Sequence, residues 1–245
     1  MITTKKLRVA RIVLSLVLIL SLFAIQAMSL PVGPVITFIK NETSPNAGTG
    51  TARSGDKGGY ITTIRLNASQ QNYAWKAYVG NVTGSLTLEN ANSKAIYKWD
   101  APNVGQEVYI SRNDSVDWNS VNCSNRSIIT AEDTFLNLNP SSSDSINQTF
   151  NASVHKSFVV AGRTIQNSTC PAISTYINDA AQTSSENAKY QEILLKDTAS
   201  NLVYATLVDK GQAGYDNSNY DFQAIVAEDQ TAPTPTTYYF YVELA

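Results

Sequence analysis

The chain has 245 residues, 43% hydrophobic and 16% charged, with 18 Lys and Arg against 20 Asp and Glu, one His and two Cys. So near-neutral a balance excludes a basic nucleic-acid binder that works by neutralising phosphates, and a single histidine, His155, with two cysteines leaves too few soft ligands for a zinc or iron–sulfur centre. The length suits one large β domain or two small ones.

At the N-terminus, Lys5, Lys6, Arg8 and Arg11 precede an apolar run from Ile12 to Ile25 that only Ser15 and Ser21 interrupt. Its 14 residues fall short of the roughly 20 that span a bilayer. A basic flank, a short apolar middle and small residues after it match a secretory signal. Ala27-Met28-Ser29 predicts cleavage before Leu30, although Pro31 disfavours that bond. Read through to Leu30 the run is 19 residues, and the alternative is a retained anchor helix, the chain's one membrane attachment. Both readings predict an extracellular or cell-surface location. Without residues 1–29 the chain carries 14 Lys and Arg against 20 Asp and Glu, a net charge of −6, which favours solubility and names no partner.

Residues 30–58 hold an N-terminal strand and a connector. Val35-Ile36-Thr37-Phe38-Ile39 is a compact apolar strand, and 41–59 is polar and Gly-rich, the composition of a flexible linker. Gly50, Gly55 and Lys57 come near a phosphate-binding loop, but Asp56 intervenes and Gly58 replaces the magnesium-binding Ser/Thr.

From residue 59 the hydrophobic period is two. Tyr60, Thr62, Ile64 and Leu66 alternate with Ile61, Thr63, Arg65 and Asn67; Trp75, Ala77 and Val79 with Lys76 and Tyr78; Leu86 and Leu88 with Thr87 and Glu89; Tyr97 and Trp99 with Lys98. With turn residues at Gly80-Asn81 and Asn90–Ser93, this predicts antiparallel strands with one buried face, and Val108–Ile110 adds another. The stretch 113–153 is dominated by Asn and Ser and reads as an irregular insertion. Within it Thr130-Ala131-Glu132-Asp133 predicts the cap of a short helix covering Phe135, Leu136 and Leu138. Strands resume at 157–165, 190–195, 202–208, 220–227 and 237–244. The last is aromatic on both faces, as a strand covered from both sides would be. Two hairpins look alike, Leu86–Tyr97 and Leu194–Tyr204. The prediction is all-β: residues 59–245 as an antiparallel β-sandwich with a helix-containing insertion at about 113–153.

Export favours a disulfide between Cys123 and Cys170, the only cysteines. Nine sequons, at Asn41, Asn67, Asn81, Asn113, Asn122, Asn125, Asn147, Asn151 and Asn167, predict N-glycosylation, and none lies in the last 75 residues.

The stretch Gly59–Thr62, then Asn72–Gly84 with Trp75 and the turn Gly80-Asn81-Val82-Thr83-Gly84, then Leu86–Leu88 and Ile96-Tyr97-Lys98-Trp99, resembles a module of secreted archaeal surface proteins. The likeness covers roughly residues 58–120. It implies an exported β-rich module of the cell envelope and no particular chemistry. On physical grounds, Gly80 and Gly84 permit a tight turn, and Trp75 and Trp99 read as cross-strand core anchors.

Catalytic constellations are thin. Asp114 with Asp117, or Asp216 with Asp221, are the nearest carboxylate pairs for glycoside hydrolysis, but acids in Asn/Ser-rich loops are ordinarily turn formers. A Ser-His-Asp site would have to use His155, and no nucleophile elbow accompanies it. No catalytic residue is assigned and no enzyme activity is expected. Asp216, Asn217, Asn219 and Asp221 supply closely spaced oxygens of the kind calcium prefers; they lack the Gly and terminal Glu of an EF-hand loop, and a plain turn is the stronger reading. Of the aromatic residues, Tyr78 and Trp118 are the ones expected to be exposed enough for a sugar to stack on. The expectation is an exported structural protein of the cell surface (coat, appendage or adhesion), self-associating or binding other surface proteins and glycans, with Val35–Ile39 exchanged between subunits. The alternative is an extracellular polysaccharide- or protein-binding module.

Overall fold

A computed structural model describes residues 30–42, 73–89, 95–101, 104–229, 231–232 and 234–244. The expected signal segment 1–29, most of the 41–59 connector and the expected strand at 60–67 lie outside these residues. Chain order gives β1 (Trp75–Gly80), β2 (Gly84–Glu89), β3 (Ala95–Ala101), β4 (Val104–Ser111), a 3-10 turn at Trp118–Ser120, β5 (Asn122–Cys123), α1 (Arg126–Phe135) and α2 (Ile146–Thr149). There follow β6 (Phe158–Val160), β7 (Arg163–Ile165), β8 (Ala172–Ser174), β9 (Gln191–Lys196), β10 (Leu202–Leu207), β11 (Gln212–Ala213), β12 (Asn219–Tyr220), β13 (Phe222–Ala227) and β14 (Tyr239–Leu244). The protein is mostly strand, every pairing is antiparallel, and among the described residues no helix is long and apolar enough to cross a membrane.

A six-stranded sheet of order β14-β4-β10-β9-β5, with β8 also on β9, organises the molecule. Because side chains alternate across a strand, β4, β10 and β14 feed two cores at once. Val108, Ile110, Tyr204 and Val242 point to one face. Tyr109, Val203, Ala205 and Tyr241 point to the other. The first face is covered by the β1–β13 ribbon and by Ile129, Leu136, Ile146 and Phe150 of the insertion. The second is covered by the β6–β7 hairpin, Trp118, Val121 and Cys170. This double coverage is the reason β14 is aromatic on both sides: Phe240 meets Tyr78 edge-on at 5.0 Å, and Tyr241 meets Trp118 at 5.0 Å.

Several local expectations change. The expected hairpin β9–β10 forms, with Leu194 opposite Tyr204, and β2 pairs β3 as expected. Gly80 to Gly84 does not close a hairpin, because β1 pairs with β13 instead. Gly80 is needed for another reason: a Cβ there would lie 3.2 Å from the Phe222 ring. The expected strand 157–165 is two strands folded on Ala161 and Gly162, both at positive φ (48° and 73°), the left-handed pair of a tight hairpin turn. The helix cap is Asn125, whose Oδ1 accepts the Ile128 N–H at 3.1 Å, rather than Thr130. Asp133, expected in that cap, instead accepts the Ile146 and Asn147 N–H groups at the start of α2 (2.7 and 3.1 Å). The helix buries Ile129 and leaves Phe135 exposed under the Arg112 guanidinium, 3.8 Å from the ring centroid. The insertion therefore covers a sheet face, stapled to it by the Cys123–Cys170 disulfide (Cα–Cα 4.9 Å).

Candidate functional site

The last strand, β14, is the sheet's edge. Its inner side pairs with β4, Tyr239 opposite Ser111 through Val242 opposite Val108. Its outer side is bridged to the chain's own N-terminal segment: Val32 N–H donates to Val242 C=O (2.9 Å) and Val242 N–H to Val32 C=O (2.8 Å). An antiparallel ladder repeats every second residue, so the next bonded pair would be Pro34 with Phe240. Proline has no N–H to donate, and the pairing stops there.

Beyond Pro34 the apolar run expected as a strand pairs with nothing as a strand among the described residues and stands off the body. Val35 is 97% exposed, Ile36 65%, Phe38 77% and Ile39 86%. The segment approaches the body again at Glu42, whose carboxylate lies 2.6 Å from Lys40 and 3.5 Å from the Tyr215 hydroxyl. An apolar run this exposed ordinarily marks a contact surface.

Beneath this edge lies a buried acid pair that sequence reasoning missed. Glu107 is 3% exposed and sits where the β4–β14 register shifts, beside Glu243. Tyr109 Oη and the Ala161 N–H both donate to Glu243 Oε2 (3.2 and 3.1 Å). Glu107 Oε1 has no hydrogen-bond partner. Burial, reinforced by Glu243, pushes the Glu107 carboxyl up to about 8, and burial raises Glu243 as well. The signal was parity: Glu107 and Glu243 lie two residues from the inward-facing Tyr109 and Tyr241.

His155 is fully buried, with both ring nitrogens held by the backbone: Nδ1 donates to Lys156 C=O (2.8 Å), while Nε2 accepts the Thr169 and Cys170 N–H groups (3.1 and 3.0 Å). The calcium candidates form a turn. Asp216 accepts the Ser218 N–H (2.9 Å) and Tyr220 hydroxyl (3.1 Å), Asp221 accepts the Gly211 and Val82 N–H groups (2.9 Å each), and Asn217 and Asn219 are exposed. No group of three or more His, Cys, Asp or Glu side chains able to hold a metal gathers among the described residues. Asp117 accepts the Thr198 hydroxyl at 3.3 Å, and Asp114 is exposed. Trp118, expected at the surface, is only 8% exposed and wedged between Tyr109 and Tyr241. Tyr78 is half-buried against Phe240.

Among the sequons, Asn41, Asn81, Asn122, Asn125, Asn151 and Asn167 are exposed, Asn113 and Asn147 are half-buried, and Asn67 lies outside the described residues. Their absence from the C-terminal part of the sequence does not make a sequon-free face. The Tyr241 hydroxyl donates to the Asn113 carbonyl (2.9 Å), so a contact across 128 residues of sequence brings a sequon beside β14.

Compared with protein-family models, with curated proteins and with solved structures, the chain matches none.

Proposed function

We propose that this is an exported, N-glycosylated structural protein of the cell surface, a coat, appendage or adhesion subunit without enzymatic activity, whose copies link through residues 30–39. The observation that carries the reading is the Val35–Ile39 run, apolar at every position but Thr37 and held away from a sheet edge that it could extend. Burying each of its four large side chains is worth roughly 1.5–3 kcal/mol, whereas the one internal bridge contributes about two hydrogen bonds, each worth roughly 1 kcal/mol net. Strand addition to a neighbour collects both terms at once.

Three observations support the setting. The Cys123–Cys170 bond belongs to an oxidising compartment. Six exposed sequons are available to a glycosylation machinery. The resemblance of residues 58–120 to archaeal envelope modules points the same way. The body is read as a β-sandwich, with the β1–β13 ribbon as the layer facing the six-stranded sheet across Tyr204 and Phe150. With Trp118 buried, the sugar-stacking platform of the alternative reading loses one of its two residues.

Electron microscopy and sedimentation of the exported protein should reveal filaments, sheets or defined oligomers. Deleting residues 30–40 should abolish them and leave the thermal transition of the body in place; assembly that survives the deletion overturns the reading.

A further inference from the structure

We infer that the outer edge of β14 is the acceptor for residues 35–39 of a second copy of this chain, with Thr37 opposite Val242. The inference rests on the self-assembly reading above and deepens it. It follows from strand parity, from the place of one proline and from setting the whole run Val35–Ile39 against Phe240–Leu244.

Val242 turns its N–H and C=O outward to Val32. The extra residues at the β4–β14 register shift lie on β4, between Val104 and Val108, so alternation along β14 turns the N–H and C=O of Phe240 and Leu244 the same way. A donor strand must therefore present backbone groups opposite 240, 242 and 244. In the internal register, with Val32 opposite Val242, Pro34 falls opposite Phe240 and one donor is missing. Placing Ile36 opposite Val242 moves Pro34 opposite Leu244, again on the bonding side. Placing Thr37 there aligns Val35, Thr37 and Ile39 with Leu244, Val242 and Phe240. All three carry an N–H, giving up to about six ladder bonds in place of the two bonds of the bridge.

Pro34 then faces outward, where its missing N–H is harmless and blunts the new edge against further pairing. Side chains follow the same parity. Phe38 comes opposite Tyr241, on the face that holds Trp118, and Val35 and Ile39 lie on the face of Phe240 and Val242. The outer edge of β14 carries the Val32 bridge at Val242. The Val32 bridge and an incoming strand compete for Val242, so the bridge acts as a cap that assembly displaces.

The occupant is a second copy because the same chain carries both halves, the proline-free apolar donor and the edge that fits it. Within one chain, Val35–Ile39 arches between the contacts at Val32 and Glu42, off its own edge.

Cysteine and proline variants of the full chain test this. Thr37→Cys and Val242→Cys proteins, mixed under mild oxidation, should give a disulfide between chains. Val32→Cys/Val242→Cys, closed within one chain, should block assembly. Thr37→Pro, which removes a bonding N–H, should reduce assembly at least tenfold, while Ile36→Pro, whose N–H faces outward, should spare it. A Thr37→Cys/Val242→Cys double variant that closes within single chains, the absence of any cross-link between assembled chains, or equal effects of the two prolines would overturn the inference. If any of these occurs while deletion of 30–40 still abolishes assembly, the acceptor register fails and self-assembly through the segment stands; if the deletion has no effect, both fall.

Discussion

His155 shows how far residue identity alone can mislead. The only histidine of a chain invites an acid–base role, yet here both ring nitrogens are spent on backbone groups, two of them amides of the Thr169-Cys170 segment. Burial lowers its pKa from the ordinary 6.5, so the native state holds the ring neutral while the unfolded chain takes up a proton. The stability it contributes is therefore present above pH 6.5 and is lost as the pH falls below that value towards the native pKa. Thermal melts between pH 7.5 and 5 should show that decline, and His155→Leu should cost about 2–4 kcal/mol at pH 7.5 by orphaning the buried Cys170 amide and the part-buried Thr169 amide while flattening the acid slope. An unaltered slope in the variant would assign the decline to other groups.

At the scale of elements, β4 and β14 were legible as strands but not as partners. Their alternation is plain in Val108-Tyr109-Ile110 and in Tyr239-Phe240-Tyr241-Val242. That they lie side by side and set Glu107 next to Glu243 depends on a register nothing local specifies. The pair makes this strand contact sensitive to pH. Glu107 keeps its proton in the fold up to about pH 8, against an ordinary value of 4.5. As pH rises from 4.5 to about 8 the unfolded chain gives up this proton and the fold does not, so the group's contribution falls across that window. Glu107→Gln, neutral at every pH and able to donate to Glu243, should raise stability at pH 8 by on the order of 2–4 kcal/mol. It should change little at about pH 3, where Glu107 is largely protonated in both states. Denaturant titrations at the two pH values decide it; equal effects at both would place the charge elsewhere.

Across the molecule, the disulfide ties the insertion to the body. Its sequence separation of 47 residues corresponds to about 4 kcal/mol in the chain-entropy account. Replacing both Cys123 and Cys170 with Ala should lower stability by about that amount, measured by denaturant unfolding, and reduction of the native protein should match it. A loss below about 1 kcal/mol would mean that the packing of Trp118, Val121 and Phe158 holds this face without the bond.

Composition and period by themselves determined the class of structure: antiparallel strands, a stapled insertion and an apolar N-terminal run set apart from the rest. Those properties are local, since alternation, turn residues and cysteine count are written in neighbouring positions. The tertiary structure alone decided that β1 joins β13 rather than β2, that Trp118 is core, that His155 is a hydrogen-bond anchor, and that two acids meet under the edge strand. Each depends on pairing between residues tens to more than a hundred positions apart. Such pairing is selected by how well whole faces bury against one another, and no short window of sequence contains that sum.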